Sequence, residues 1–175
     1  MSFPQAIRTC FSKYATFSGR ARRKEYWYFI LFIFLGSLTT RFVDSVLFGT
    51  VVLDTAPTEI AASGDGPVAS LFGLLILIPA LAAGWRRMHD SGRSGLYVLY
   101  PLIIMIGIGV FAGVIGGFEP LLDGNFGAAL AGGSVLILGV AFFVLFLSPL
   151  LVLWWLAQPS QPGPNAYGPD PRGAT

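Results

Sequence analysis

Four long apolar stretches, residues 26–48, 68–85, 95–118 and 135–157, decide the solvent of this chain before any other feature is read. The hydrocarbon layer of a bilayer is about 30 Å thick and a helix rises about 1.5 Å per residue, so roughly 20 mostly apolar residues cross it. Each stretch is read as a spanning helix. Lipid offers no water to backbone amides, and an open sheet of four segments would leave its edge groups unpaired. Charged residues make up 11% of the chain, against about 25% in a soluble domain. The expected fold is therefore all-α: an integral membrane four-helix bundle over residues 26–157, preceded by an amphipathic N-terminal interfacial helix and basic segment in 1–25, and followed by a Pro/Gly-rich tail in 158–175. The first span is too long for the apolar core of a secretory signal, and the 25 residues before it carry several charges and aromatics, so this segment is expected to remain in the mature protein.

Orientation follows from the basic residues. Arg8, Lys13, Arg20, Arg22, Arg23 and Lys24 precede the first span, Arg86, Arg87 and Arg93 lie between spans two and three, and Arg172 follows span four. Those are ten of the eleven Lys and Arg. The other two connections carry Asp54, Glu59, Asp65, Glu119 and Asp123 and no basic residue. Basic flanks stay on the cytoplasmic side during insertion, which puts both termini in the cytoplasm. Trp27, Trp85, Trp154 and Trp155 sit at the same ends, where an amphipathic ring favours the headgroup level. A net charge of +2 is too small an excess to argue for a nucleic-acid partner. The single cysteine, Cys10, excludes an internal disulfide and is read as a small apolar residue.

The polar information gathers on the inner face. Phe3, Ile7, Cys10, Tyr14 and Phe17 recur at helical spacing, predicting a helix that ends near Ser18 and Gly19. It either lies flat on the inner leaflet or packs under the bundle. Next comes a cationic knot at Arg20, Arg22, Arg23 and Lys24, and a second one, residues 86–95, is read as the whole connection between spans two and three. Retention and anchoring explain such clusters, whereas a phosphate or headgroup site requires two guanidinium forks to converge. Gly92 and Gly95 suit tight turns, and Asp90 or Ser94 is a candidate cap for the next helix. His89 beside one Asp falls short of the three or four ligands a metal takes, so no metal or cofactor is expected. No nucleophile with an orienting partner surrounds it, so no enzyme is expected either. Five prolines and three glycines between Gln158 and Thr175 exclude a regular helix or strand. The tail is either disordered or folded into a turn of Asn165, Tyr167 and Asp170 that docks on the arginine knots, Asp170 pairing with one of them.

Three segments, FSGRARRKEYWYF from Phe17 to Phe29, RRMHDSGRSG from Arg86 to Gly95 and PGPNAYGPDP from Pro162 to Pro171, are set in that order around four apolar spans. The combination resembles a family of bacterial inner-membrane proteins known as domain of unknown function 805, and the likeness covers almost the whole chain. It implies a small helical membrane protein and lends no biochemical activity. Members often carry Leu, Thr and Trp where this chain has Met88, Ser91 and Leu96.

Within span one, Arg41 and Asp44 are three residues apart and able to meet on one face; such a pair is either structural or part of an ion or proton pathway. Gly109 and Gly113 form a small-xxx-small step suited to close helix contact. Pro79, Pro101 and Pro149 are expected to kink spans two, three and four where neighbours satisfy the freed carbonyls. These residues predict a non-enzymatic membrane protein. Its inner face, built on Arg20, Arg22, Arg23, Arg86, Arg87, His89, Asp90 and Arg93, binds anionic inner-leaflet headgroups or a membrane protein partner, which includes a second copy. The alternative is a small transporter or channel working through Arg41 and Asp44. A membrane enzyme acting on lipid or isoprenoid phosphate ranks third, because its inner-face carboxylates are few.

Overall fold

The protein was analysed as a computed structural model that describes residues 1–49, 66–116 and 135–173. Its elements are α1 (Phe3–Ser12), α2 (Arg23–Phe48), α3 (Pro67–Asp90), a 3-10 turn (Gly95–Leu99), α4 (Tyr100–Gly116) and α5 (Val135–Ala157). Among the described residues there is no strand. The helices α2, α3 and, over Gly139–Ala157, α5 are long and apolar enough to cross a membrane; α4 is a shorter apolar helix of 17 residues. The acidic connections carrying Asp54, Glu59, Asp65, Glu119 and Asp123, and the expected end of span three at Phe118, lie outside the described residues.

The N-terminal helix is shorter than its apolar periodicity suggests. Gln5 Oε1 accepts the Ser2 amide at 2.8 Å at one end, and at the other the Ser12 hydroxyl donates to the Thr9 carbonyl at 3.0 Å. That local competition closes the helix at Ser12, so Tyr14 and Phe17 leave it and find partners elsewhere. The apolar side of α1 is turned to α2: Ala6 and Cys10 are fully buried, the Phe11 ring meets Phe29 and Phe32 edge-on at 5.7 and 5.9 Å, and Phe3 meets Tyr28 at 5.9 Å.

Two prolines inside helices explain two polar contacts. Pro79 in α3 has no amide hydrogen, which frees the carbonyl of Leu75 four residues back, and the Tyr14 hydroxyl donates to that carbonyl at 2.7 Å. Pro149 in α5 likewise frees Leu145, whose carbonyl accepts the buried Ser148 hydroxyl at 2.8 Å. Pro101 differs from its expected role. It occupies the second residue of α4, where a missing amide costs nothing, so it starts the helix instead of kinking it.

Helices α2 and α3 pack closely. A Cβ on Gly36 would fall 2.4 Å from the Phe72 ring, so glycine there lets the ring in. At the far end Asp44 of α2 caps α3, accepting the amides of Val68 at 3.0 Å and Ala69 at 2.7 Å. The core then runs through Cys10, Tyr26, Phe29, Ile76, Ala83, Met88, Val152 and Leu156. In the small-residue step of α4, a Cβ on Gly109 would meet nothing within 4 Å among the described residues, whereas Gly113 is buried.

Candidate functional site

The second arginine knot is helix, not loop. Helix α3 continues past Trp85 to Asp90 and then stops in a Schellman motif: the Gly92 amide donates to His89 O and the Arg93 amide to Met88 O, both at 3.0 Å, with Gly92 at φ +78°. The extension is possible because the charged side chains from 86 to 90 find partners inside the protein and need no water. Gly95 is fixed by packing, since a Cβ there would lie 2.1 Å from the Trp85 indole.

Asp90 is the centre of the polar end. Its Oδ1 accepts Arg20 Nε at 3.0 Å, and its Oδ2 accepts Arg87 Nη1 at 2.8 Å and the Ser160 hydroxyl at 2.5 Å. All three charged side chains are buried. Beside them Arg86 Nη1 donates to Glu25 Oε1 at 3.2 Å, and Arg86 Nε to the Ala82 carbonyl at 3.1 Å. An ion in such a place costs several kcal/mol unless paired and hydrogen-bonded; each arginine has a carboxylate partner, and Arg86 Nη2 alone is buried without a hydrogen bond among the described residues. The segment just before α2 joins them through the Ala21 amide, which donates to Arg86 O at 3.0 Å.

The tail is docked on this cluster. Arg20 Nη1 donates to Gly163 O at 2.6 Å and Nη2 to Gln161 O at 2.5 Å, while Arg87 donates from Nε to Leu156 O at 2.9 Å and from Nη2 to Gln158 O. The Gln161 amide donates to Asp90 O at 2.8 Å. His89 holds the segment further along: its ring stacks on Tyr167 at 3.9 Å and 4°, its Nδ1 donates to Gly19 O at 3.0 Å, and its carbonyl accepts Asn165 Nδ2 at 2.9 Å. A Cβ on Gly92 would come within 2.7 Å of Gln161, so this glycine also makes room for the tail. Asp170 does not pair with either arginine knot, as the tail's sequence suggested. It accepts from Arg172 at 2.9 Å and from the Gly163 amide at 3.1 Å, and these bonds hold its carboxyl well below the usual carboxylate range.

The expected site residues therefore separate into groups. Arg20, Arg86, Arg87, His89 and Asp90 converge, but on one another and on the tail, so Arg20, Arg86 and Arg87 are not a free cationic surface. Arg23 and Lys24 are exposed and Arg22 is half-buried at the start of α2. Arg93 lies over the Trp155 ring at 5.6 Å. Arg41 is exposed on α2, and the Asp44 carboxylate is committed to capping α3. Among the described residues no three of His, Cys, Asp and Glu gather as a metal set. Cys10 is buried near Glu25 and Arg86; burial pushes its thiol up to about 11, and the Glu25 charge adds to the shift. Tyr14, Glu25, Ser160 and Gln161 are contributors that sequence did not assign. Pro79 announces an orphan carbonyl but not which residue answers it.

The sequence pattern of the family described as Protein of unknown function (DUF805) matches residues 14–169, a stretch that contains every residue of the Asp90 cluster and most of the tail. Inner membrane protein YhaH of Escherichia coli (strain K12) is 26% identical over 159 residues, covering 91% of this chain and 89% of that protein. Inner membrane protein YhaI of the same strain is 34% identical over 95 residues, covering 54% of this chain and 68% of that one. No solved structure matches this chain.

Proposed function

We propose, for a chain that belongs to the family of proteins of unknown function DUF805, a non-enzymatic role in a bacterial inner membrane: four spanning helices, both termini in the cytoplasm, and an exposed cationic rim that holds anionic lipid headgroups. The observation that carries this reading is the division of labour among the basic residues. Arg20, Arg86 and Arg87 are buried and paired with internal carboxylates, only Arg86 Nη2 being without a hydrogen-bond partner among the described residues, while Arg8, Lys13, Arg23 and Lys24 are exposed and Arg22 is half-exposed, with Trp27 beside them. Cations left at the membrane surface each gain about 1 kcal/mol from an anionic leaflet.

Length supports a fourth span. The 3-10 turn and α4 together rise about 35 Å, at about 2.0 and 1.5 Å per residue, enough for the hydrocarbon layer. The positive-inside pattern supports the orientation, and YhaH and YhaI, both inner membrane proteins, support the location. Depth supports a place for α1 within the inner leaflet. Tyr14 reaches Leu75, ten residues below Trp85 and so about 15 Å along α3. The transport alternative draws less support, since Asp44 is occupied by the amides of α3.

The test is native mass spectrometry of the purified full chain with phosphatidylglycerol. The triple variant R22Q/R23Q/K24Q removes three rim charges and is expected to weaken lipid retention by about two orders of magnitude, from about 1 kcal/mol per charge. Unchanged retention in a correctly inserted triple variant would overturn the rim. A co-purifying protein lost with the same three charges would replace lipid by a protein partner.

A further inference from the structure

The buried polar end holds more positive than negative charge. Among the described residues, the carboxylates paired with Arg20, Arg86 and Arg87 are Glu25 and Asp90. The Arg86–Glu25 pair is neutral by itself, so the excess rests on Arg20 and Arg87, which share a single carboxylate. Both spend their Asp90-facing nitrogens on that carboxylate. The remaining outward nitrogens, Arg20 Nη1 and Nη2 and Arg87 Nη2, all donate to backbone carbonyls of residues 158–163. A neutral carbonyl is a weak partner for a guanidinium, and a charged oxyanion makes bonds roughly twice as strong. The carbonyls hold the position because they are tethered, which gives them an effective concentration in the millimolar range or above.

We infer that Arg20 and Arg87 form a phosphate seat which residues 158–163 cover, their carbonyl oxygens standing where phosphate oxygens bind when the segment lifts. Two guanidinium forks converge here, which is the geometry a phosphate site needs. The strap over them is fastened mostly by neutral contacts: the His89–Tyr167 stack, the Asn165 bond to His89 O and the Gln161 amide bond to Asp90 O, with one charge-assisted bond from the Ser160 hydroxyl to the Asp90 carboxylate. The neutral contacts are each weak enough to exchange. The seat involves arginines other than those of the rim and stands or falls separately from it. The phosphate comes from a lipid headgroup or from solution, and the two sources share this chemistry.

The full chain carrying Ala166→Cys, spin-labelled at that position, reads the strap directly; Cys10 stays unlabelled because it is fully buried and its thiol is pushed up to about 11. In maltoside micelles at constant ionic strength, titration with inorganic phosphate forms one arm and titration with phosphatidylglycerol the other. The label is expected to become mobile and to saturate in at least one arm, and the responding arm identifies the source. Adding N165A/Y167A loosens the strap and is expected to move the midpoint to roughly ten-fold lower ligand, because apparent affinity scales with the fraction of open seats. R20Q/D90N, which removes a cation and its carboxylate together, is expected to abolish the response, and R22Q/R23Q/K24Q to keep it. No response in either arm, an equal response to chloride, or equal midpoints with and without N165A/Y167A would overturn the seat.

Discussion

Replacing Tyr14 by Phe deletes one hydroxyl and leaves the Leu75 carbonyl, already abandoned by Pro79, with no donor. The bond is short, at 2.7 Å, and its acceptor belongs to a helix built to cross lipid. An acceptor left unsatisfied where lipid replaces water costs about 1–3 kcal/mol, and hydrogen bonds between membrane helices reach about 1.7 kcal/mol at most in double-mutant cycles. We therefore expect Y14F to destabilise by about 1–2 kcal/mol. The decisive comparison is the same change made on Pro79→Ala. Alanine restores an amide hydrogen at position 79, which bonds Leu75 O along the helix and takes the place of Tyr14. Any packing loss from shrinking the buried Pro79 is common to both arms and cancels. In the P79A background Y14F should cost close to nothing, giving a coupling of about 1–2 kcal/mol between two residues that touch only through one oxygen. Unfolding in mixed micelles, followed by tryptophan fluorescence, measures all four corners. If Y14F costs the same with proline and with alanine at 79, the orphan-carbonyl explanation is wrong.

Three further outcomes are expected. Asp90→Asn leaves Arg20 and Arg87 buried against a neutral amide, a loss of about 3–5 kcal/mol; hydrogen exchange of the tail amides should speed up by two orders of magnitude or more, and unchanged protection would contradict the cluster's role. Gly95→Ala drives a methyl into the Trp85 indole, which should destabilise by about 1–3 kcal/mol and shift tryptophan emission, whereas Gly109→Ala, with nothing within 4 Å, should leave the monomer's stability unchanged. Burial raises the Cys10 thiol from 9.0 to about 11, so its stabilising contribution is intact below pH 9 and is lost as pH rises through 11. Cys10→Ala should abolish about 3 kcal/mol of the stability loss as pH rises from below 9 to above 11, and an unchanged loss would place the thiol in water.

Helices α2, α3 and α5 were legible because long apolar composition alone forces them. Their polar ends were less so. The stretch from Arg86 to Asp90 reads as a loop by charge, since sequence displays four polar or ionic side chains but not that Arg20, Glu25 and Ser160 wait to receive them. Arg87 and Asp90, three apart, carried a local hint of helix; the partners some seventy residues away carried none. Tail docking was one of two open readings, and Asn165 and Tyr167 do form the turn, yet Asp170 turned inward to Arg172 because a neighbour two residues away is easier to reach. The apolar period of α1 ran on past Ser12 because Tyr14 and Phe17 also find partners, Leu75 and Trp85, outside any helix. Periodicity reports that a side chain is covered, not which backbone carries it.

The Asp90 cluster joins residues 20, 87 and 158–163, which the ribosome makes far apart in time. Arg20 is made long before the carbonyl of Gly163, 143 positions later, has been translated. During that interval Arg20 and Arg87 lack part of their final set of partners, although Asp90 is already made. A product stopped short of residue 158 thus keeps both guanidiniums without the carbonyls that cover them in the full chain.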